Sequence, residues 1–330
     1  MRRREFITLA GSSAAAWSLA AHAQQGEPMR RIAVLMNVVV DDPEGQRRVA
    51  AFVQAPGQLG WIEGRNMRID YRWAGGRDVD LFHKYAPELV ALAPDVILAS
   101  GFPSMAALHP VNRSVPVVIV LVADPVGAGF VESLARPGGN ITGFTEFEFS
   151  ISAKWLELLK RIAPQVTVAG IIRNATLTVG TAMFAAIQAV APSLGLDVRP
   201  IGVNDASEIE RAVTAFARSP NGGLIVTPSP FLPPERNLII ALAARHNLPT
   251  IYYERYLVSA GGLASYGPDF VDEYRRAAGY INRVLKGENP ADLPVQASTK
   301  YKTVINLKTA KSLGLEIPPT VLSTADEIIE

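Results

Sequence analysis

The sequence predicts an α/β fold with two similar three-layer α/β/α lobes, joined by a hinge that the chain crosses three times. Short apolar runs such as IAVLM, VILAS and VVIVLV alternate with amphipathic stretches. This alternation is typical of parallel strands that are buried on both faces between layers of helices. The pattern occurs twice along the chain, and a C-terminal segment does not continue it. Together these observations indicate two lobes with a cleft between them.

The first 23 residues are predicted to be an export signal. Arg2 to Arg4 form a basic start, an apolar stretch follows to about Ala21, and Ala21-His22-Ala23 is a small-x-small cleavage site. Residues 3–7, RREFI, favour a twin-arginine signal over an ordinary Sec signal, which stays the alternative. A membrane anchor is not favoured, because the apolar stretch is short and ends at the cleavage site.

The remaining chain divides into strands and helices in a regular order. Strand candidates in the first half are Arg31–Asn37, Met67–Trp73, Val96–Ser100, Val117–Leu121 and Asn140–Phe144. Those in the second half are Val166–Ile172, Asp197–Val203, Gly223–Thr227, Thr250–Tyr253 and Leu263–Tyr266. Helices are expected at Val79–Leu92, Ala153–Ile162, Thr181–Leu194, Glu208–Arg218 and Phe270–Leu285. Residues 29–145 with about 267–293 are predicted to form lobe one, and residues 146–266 with about 294–330 lobe two.

The two halves share their glycine and proline positions. Three short segments of the first half have counterparts in the second half, in the same order. They are Leu59-Gly60 with Leu194-Gly195, Ala93-Pro94-Asp95 with Ser219-Pro220-Asn221, and Val115-Pro116 with Leu248-Pro249. Because these residues end helices and open strands, their repetition indicates two α/β units in tandem. Crossings between the lobes are expected near Phe144–Phe149, Tyr266–Asp269 and Pro294–Asn306.

The first long helix contains one conflicting signal. Its pattern runs from Pro43 to Leu59, but Pro56 and Gly57 lie inside it. A proline in a helix interior costs about 3 kcal/mol and usually kinks the helix. The helix is therefore expected either to end near Ala55 or to bend there.

Composition narrows the class of function. Removing residues 1–23 takes away three arginines and one glutamate, which changes the net charge from +1 to −1. A near-neutral chain has no strong basic field, so nucleic acid is not an expected partner. The chain has no cysteine, which excludes thiol nucleophiles and thiolate metal sites. No pair of histidines has metal-ligand spacing, and no metal or cofactor is expected; the histidines are His22, His83, His109 and His246.

The glycine-rich stretch that follows VVIVLV resembles a dinucleotide loop, but we interpret it otherwise. Gly127 and Gly129 fit the first two glycines of G-x-G-x-x-G, whereas Glu132 occupies the third position. A carboxylate there would lie beside a bound pyrophosphate, and the preceding strand is not the first of its unit. The stretch is better explained as a strand end, a helix N-terminus and the approach to the first crossing.

Residues at the carboxyl ends of the strands are the candidate binding residues. Ligands of open α/β sheets bind at this edge, and polar anchors beside aromatic walls suit a small-molecule pocket. An amino-acid ligand would need an acidic partner for its ammonium group, and the sequence does not choose among Asp42, Asp124 and Glu146. The other candidates are Ser100, Phe102 and Ser104 from lobe one and Asn174, Thr227, Tyr253 and Glu254 from lobe two.

Three motifs resemble a known family. Asp124-Pro125-Val126, residues 137–143 (PGGNITG) and Asn306 with Leu313-Gly314 are similar to the substrate-binding proteins of ABC importers related to the tryptophan/tyrosine-binding type. The resemblance covers nearly the whole chain after residue 23, and it implies a type I periplasmic-binding fold with a ligand in the cleft. Phe102 departs from the family pattern, which commonly has threonine before the proline.

The resemblance implies a periplasmic solute-binding protein and not an enzyme. Its expected partners are a small-molecule ligand, such as an amino acid or another small carboxylate, and an inner-membrane ABC permease. The protein is expected to act as a monomer. A periplasmic sensor remains an alternative. A two-lobed enzyme is less favoured, because racemases of that shape use paired cysteines and glycosyltransferases rarely carry an export signal.

Overall fold

A computed structural model describes residues 29–75, 78–146, 148–229 and 232–330. The predicted export signal lies outside these residues. The strands are β1 (Arg30–Met36), β2 (Met67–Trp73), β3 (Val96–Ser100), β4 (Val117–Val122), β5 (Ile141–Thr145), β6 (Val168–Arg173), β7 (Asp197–Gly202), β8 (Gly222–Val226), β9 (Thr250–Tyr252), β10 (Ala264–Pro268), β11 (Gln296–Ala297), β12 (Tyr301–Asn306) and β13 (Glu327–Ile329). The α-helices are α1 (Pro43–Gln58), α2 (Asp80–Ala91), α3 (Gly101–Leu108), α4 (Ile151–Ile162), α5 (Thr178–Val190), α6 (Ala206–Phe216), α7 (Leu232–Arg245), α8 (Arg255–Ser259), α9 (Phe270–Leu285), α10 (Leu307–Ser312) and α11 (Pro319–Leu322).

Two sheets of matching topology form the centres of the two lobes. The first has the order β11-β5-β4-β3-β1-β2 and the second β13-β12-β10-β9-β8-β6-β7. Within each, the five strands of the tandem repeat are parallel and follow the same order. The predicted α/β fold with two similar lobes is confirmed.

Helices cover both faces of each sheet, as parallel strands require. In the first lobe α1 and α9 pack on one face, around Phe52 and Tyr274, while α2 and α3 pack on the other. The second lobe has one continuous core around Trp155 of α4. Within the described ranges, no helix combines the length and the apolar character needed to cross a membrane.

The chain passes between the lobes at the three places that the sequence predicts. The first crossing joins β5 to α4, the second joins β10 to α9, and the third joins β11 to β12. Because β11 pairs with β5 of the first sheet and β12 pairs with β10 of the second, the third crossing lies between Ala297 and Tyr301.

In each half of the chain, the repeated Leu-Gly pair lies at the end of a helical segment. Gly60 and Gly195 have φ values of +92° and +63°, in the left-handed region that commonly terminates a helix. Pro56 does not end α1 early, since the helix continues to Gln58. Pro56 lies in the last turn, where its carbonyl accepts from Leu59 N at 2.9 Å and Trp61 N at 3.0 Å.

Gly143→Ala should destabilise the first lobe by about 1–3 kcal/mol, because it strains the backbone at a closely packed point. Gly143 lies on β5 with φ +131°, and a methyl group there would come within 2.2 Å of the Ile119 carbonyl oxygen. Gly139→Ala is the matched control, since nothing lies within 4 Å of the added carbon. Urea unfolding of both variants measures the difference, and equal stabilities would contradict this account.

Candidate ligand-binding site

A cavity of about 1040 Å³ lies between the lobes, and both contribute to its wall. Most of the lining residues follow the carboxyl ends of β1, β3, β4, β5, β6, β8 and β9 or begin the helices after them. Side chains from separate strands meet there because parallel strands of one sheet end at the same edge. The volume is at the upper end of the range for small-molecule sites, about 300–1,000 Å³.

Six of the ten candidate residues line this cavity. From the first half of the chain they are Asp42, Phe102, Asp124 and Glu146, and from the second half Tyr253 and Glu254. Phe102 packs against Phe130 with 5.5 Å between ring centroids, so an aromatic wall stands where the family pattern has a smaller residue.

The other four candidates do not line the cavity. Ser100 is fully buried, donates to Asn37 Oδ1 at 2.8 Å and accepts from the Tyr274 hydroxyl. Ser104 is fully buried on α3. Asn174 closes a local turn by accepting from Thr176 N at 2.8 Å, and Thr227 donates to the Ile172 carbonyl at 2.9 Å. Their chain neighbours line the cavity instead: Gly101, Pro103, Thr176, Leu177, Pro228 and Ser229.

Two arginines that the sequence analysis did not select join the lobes across the cavity. Arg48 of α1 forms a buried ion pair with Glu254, which follows β9. Arg236 of α7 donates to Asp42 Oδ2 at 3.0 Å. In each pair one partner belongs to the first lobe and the other to the second. The lobes are therefore in direct polar contact around the cavity.

Asp42 has two roles at the start of α1. Its Oδ1 accepts from Glu44 N and Gly45 N, both at 3.0 Å, which caps the helix N-terminus. Its Oδ2 faces Arg236. Because both oxygens are occupied, Asp42 is less available to a ligand than its position in the sequence predicts.

Burial dominates the electrostatics of the acids at the back of the cavity. It raises the pKa of Glu254 to about 7, although the Arg48 guanidinium acts in the opposite direction. It also raises the pKa of Glu146 well above its usual range, with a further contribution from the negative charge of Glu254 and Glu273. For Arg48 burial lowers the pKa, but the carboxylates of Glu254 and Glu44 outweigh it, so the pKa is raised and the guanidinium stays charged.

A bulge in β4 shapes the wall beside these acids. The pairing of β4 with β5 shifts register between Ile119 and Val122, and Leu121 has φ +60°, which is uncommon for a residue with a branched side chain. The Leu121 amide donates to Glu273 Oε1 at 2.8 Å, and Ser298, in the third crossing, donates to Glu273 Oε2 at 3.2 Å. Glu273 thus connects the cavity wall with a hinge segment.

The stability of the unliganded protein should fall as pH rises from about 5 to 8. Burial raises the pKa of Glu273 from its ordinary 4.5 to about 8, against the Leu121 amide, Ser298, Arg48 and Arg276, which lower it. The folded state therefore binds a proton that the unfolded chain releases, and this group alone contributes about 1.4 kcal/mol per pH unit in that window. Chemical denaturation at several pH values measures the slope. Glu273→Gln should reduce it, and an unchanged slope would contradict the assignment.

The glycine-rich stretch serves a turn. The Gly127 amide donates to Asp124 Oδ1 at 2.8 Å, and Gly129 has φ +73°. This amide is consequently occupied by a protein carboxylate, in agreement with the interpretation that the stretch is not a phosphate cradle. The expected helix N-terminus is wrong, because residues 123–140 form turns and no helix lies between β4 and β5. Among the residues with described coordinates, no group of three or more histidines, aspartates and glutamates is arranged to hold a metal ion.

The chain is similar to known substrate-binding proteins over most of its length. A tyrosine-binding protein of Clostridioides difficile (strain R20291) is 28% identical over 284 residues, which cover 84% of this chain and 79% of that protein. The crystal structure of an ABC domain in complex with L-Trp from Streptococcus pneumonia is 27% identical, with a TM-score of 0.83 over 91% of this chain and 100% of the other.

A second similar structure was solved in an open form without ligand. The ligand-free, open structure of a substrate-binding protein with adhesive properties from Clostridium difficile is 25% identical, with a TM-score of 0.70 over 91% of this chain and 99% of the other. The higher score against the L-Trp complex agrees with the ion pairs that join the lobes here. The model of the ABC transporter substrate binding protein family matches residues 31–329, and the chain belongs to that family.

Proposed function

We propose that this protein is the solute-binding component of an ABC importer, and that it captures a small organic solute between its lobes and delivers it to an inner-membrane permease. The cavity walled by both lobes carries this proposal. A ligand that contacts both walls makes its full set of contacts only when the lobes are closed, so binding shifts the population toward the closed form. Amino acids are the first class to test, since the relatives include a tyrosine-binding protein and an L-Trp complex.

The proposed site consists of the six candidate residues that line the cavity together with Arg48 and Arg236. The proposed place of action is the periplasm, reached through a twin-arginine signal within residues 1–23, and the proposed state is a monomer. The predicted lobe boundaries are supported by sheet membership, with lobe one extended to Ala297 because β11 pairs with β5.

A thermal-shift screen of the mature protein tests the function. A solute that binds only the native state raises stability by about 2.7 kcal/mol at a concentration 100 times its Kd. The screen should include amino acids, amines, small carboxylates, purines and sugars. Small-angle X-ray scattering of each hit should then show a smaller radius of gyration with ligand than without. A protein that responds to no solute in the screen but turns over a substrate would contradict the proposal.

A further inference from the structure

Carboxylates outnumber cationic groups on the cavity wall. The described lining residues include seven carboxylates and two arginines: Asp42, Glu44, Asp124, Glu146, Asp205, Glu235 and Glu254, with Arg48 and Arg236. Both arginines are already engaged, Arg48 with Glu254 and Arg236 with Asp42. The described part of the wall therefore offers no unpaired guanidinium or ammonium group to a ligand carboxylate.

Among the described residues, three of these acids form no ion pair with a protein cation. Asp124 uses one oxygen for the Gly127 amide and Asp205 caps α6, but neither forms an ion pair within the described residues. The Glu146 side chain has neither a hydrogen bond nor an ion pair there. The groups that face it are Arg48, Glu254, Glu273 and Tyr253, and Arg48 is the only cation among them.

An independent observation comes from Ser229, which follows β8 on the opposite lobe. It lines the cavity, is 7% exposed, and its Oγ is buried without a hydrogen-bond partner among the described residues. Buried hydroxyl groups nearly always have a partner, so this oxygen indicates a polar group supplied by a ligand. A hydroxyl oxygen accepts readily from an N–H donor.

Aromatic side chains also line the cavity. Phe102 is 37% exposed and packs on Phe130, which also contacts His109 with 5.4 Å between ring centroids. Exposed aromatic faces in a pocket stabilise aromatic rings by offset or tilted packing and attract cations through their negative faces.

We propose that the ligand is an aromatic amine with a net positive charge and no free carboxylate. Its ammonium group would bind at Glu146, whose buried carboxyl would release its proton to solvent on binding, and its ring would pack against Phe102. This inference rests on the proposed function, because it takes the interlobe cavity as the ligand site. The proposed solute class is therefore restricted to cationic molecules, whose positive charge complements the acids that form no ion pair.

Isothermal titration at about pH 8 with two pairs of probes tests the inference. Tyramine is compared with L-tyrosine and tryptamine with L-tryptophan, so that each pair differs only in the carboxylate. Each amine should bind at least about tenfold more tightly than its amino acid. Glu146→Gln should weaken amine binding by about 10- to 100-fold, the range for a lost charge-assisted hydrogen bond. Glu210→Gln, the same change on the exposed face of α6, should have no effect.

Three results would overturn the inference. Tighter binding of the amino acids would do so, since the amides at the start of α3 would then donate hydrogen bonds to the ligand carboxylate, and the proposed function would stand. Unchanged amine affinity in a folded Glu146→Gln variant would remove the ammonium site. If none of the four probes binds, the aromatic amine is excluded, and the wider solute screen decides separately on the proposed function.

Discussion

Arg48→Met is expected to weaken ligand binding by about 100-fold, because it opens the cleft. Arg48 is 3% exposed and pairs with Glu254, which is 5% exposed. Removing one partner of a buried pair costs about 3–5 kcal/mol, since the remaining charge has neither water nor a counterion. Here the cost applies only to the closed form, because opening the lobes returns Glu254 to water. The closed population, and with it the apparent affinity, falls accordingly.

Scattering and titration together measure this effect. The radius of gyration of unliganded Arg48→Met should exceed that of the native protein, and Kd should rise. The effect should already shrink as pH falls to about 7, because burial raises the pKa of Glu254 to about 7 even with Arg48 present, the loss of Arg48 raises this pKa further, and a protonated carboxyl no longer needs a counterion. The effect of the variant decreases at low pH, because protonation of Glu254 removes the buried negative charge that drives the lobes apart.

The double variant Arg48→Met/Glu254→Leu separates closure from direct contact with the ligand. Buried ion pairs can be replaced by apolar residues at little cost, so the double variant should close again and recover most of the affinity. If it closes but does not bind, Arg48 or Glu254 contacts the ligand directly. If the single variant stays closed, the ion pair does not hold the lobes together.

Local signals in the sequence were sufficient to predict the fold. Apolar runs such as VVIVLV became strands buried on both faces, and Gly60 and Gly195 adopted the left-handed conformation at equivalent helix ends. Each of these features depends on residues that are close in the chain. The sequence left open whether α1 ends before Pro56 or bends there. Pro56 lies in the last turn of α1, so the hydrogen bonds that it removes are few.

The site was harder to predict, because the regular alternation of side chains ends with the strand and does not fix the direction of the residues that follow. Ser100 and Thr227 are at or next to strand ends, but both hydroxyls point into the lobes and bond there. Phe102 and Ser229, two residues farther along, reach the cavity. Periodicity cannot resolve this difference where a strand gives way to a loop.

No short sequence pattern indicates the two ion pairs that join the lobes. Arg48 and Glu254 are 206 residues apart, and Arg236 and Asp42 are 194 apart. Glu44 and Arg48 form an i,i+4 pair on α1, which in the sequence is typical of an exposed helix face. In the structure Arg48 is 3% exposed, between Phe270 of its own lobe and Glu254 of the other.

Trp155→Ala is expected to lower the free energy of unfolding by about 3–5 kcal/mol, the cost of a large cavity in a packed core. Trp155 of α4 is fully buried in the core of the second lobe, and its Nε1 donates to the Tyr266 carbonyl at 2.6 Å. Since Tyr266 lies on β10, just before the second crossing, the variant should also loosen the start of the hinge.

Trp155→Phe separates packing from hydrogen bonding at this position. It keeps an aromatic ring but leaves the Tyr266 carbonyl without its donor, which costs about 1–3 kcal/mol. Urea unfolding compares the two variants, and amide hydrogen exchange shows where stability is lost. Protection should fall in β8 and β9 of the second lobe, while β1 and β3 of the first lobe keep theirs. A loss spread equally over both lobes would show that they unfold as one cooperative unit, with Trp155 supporting the whole molecule.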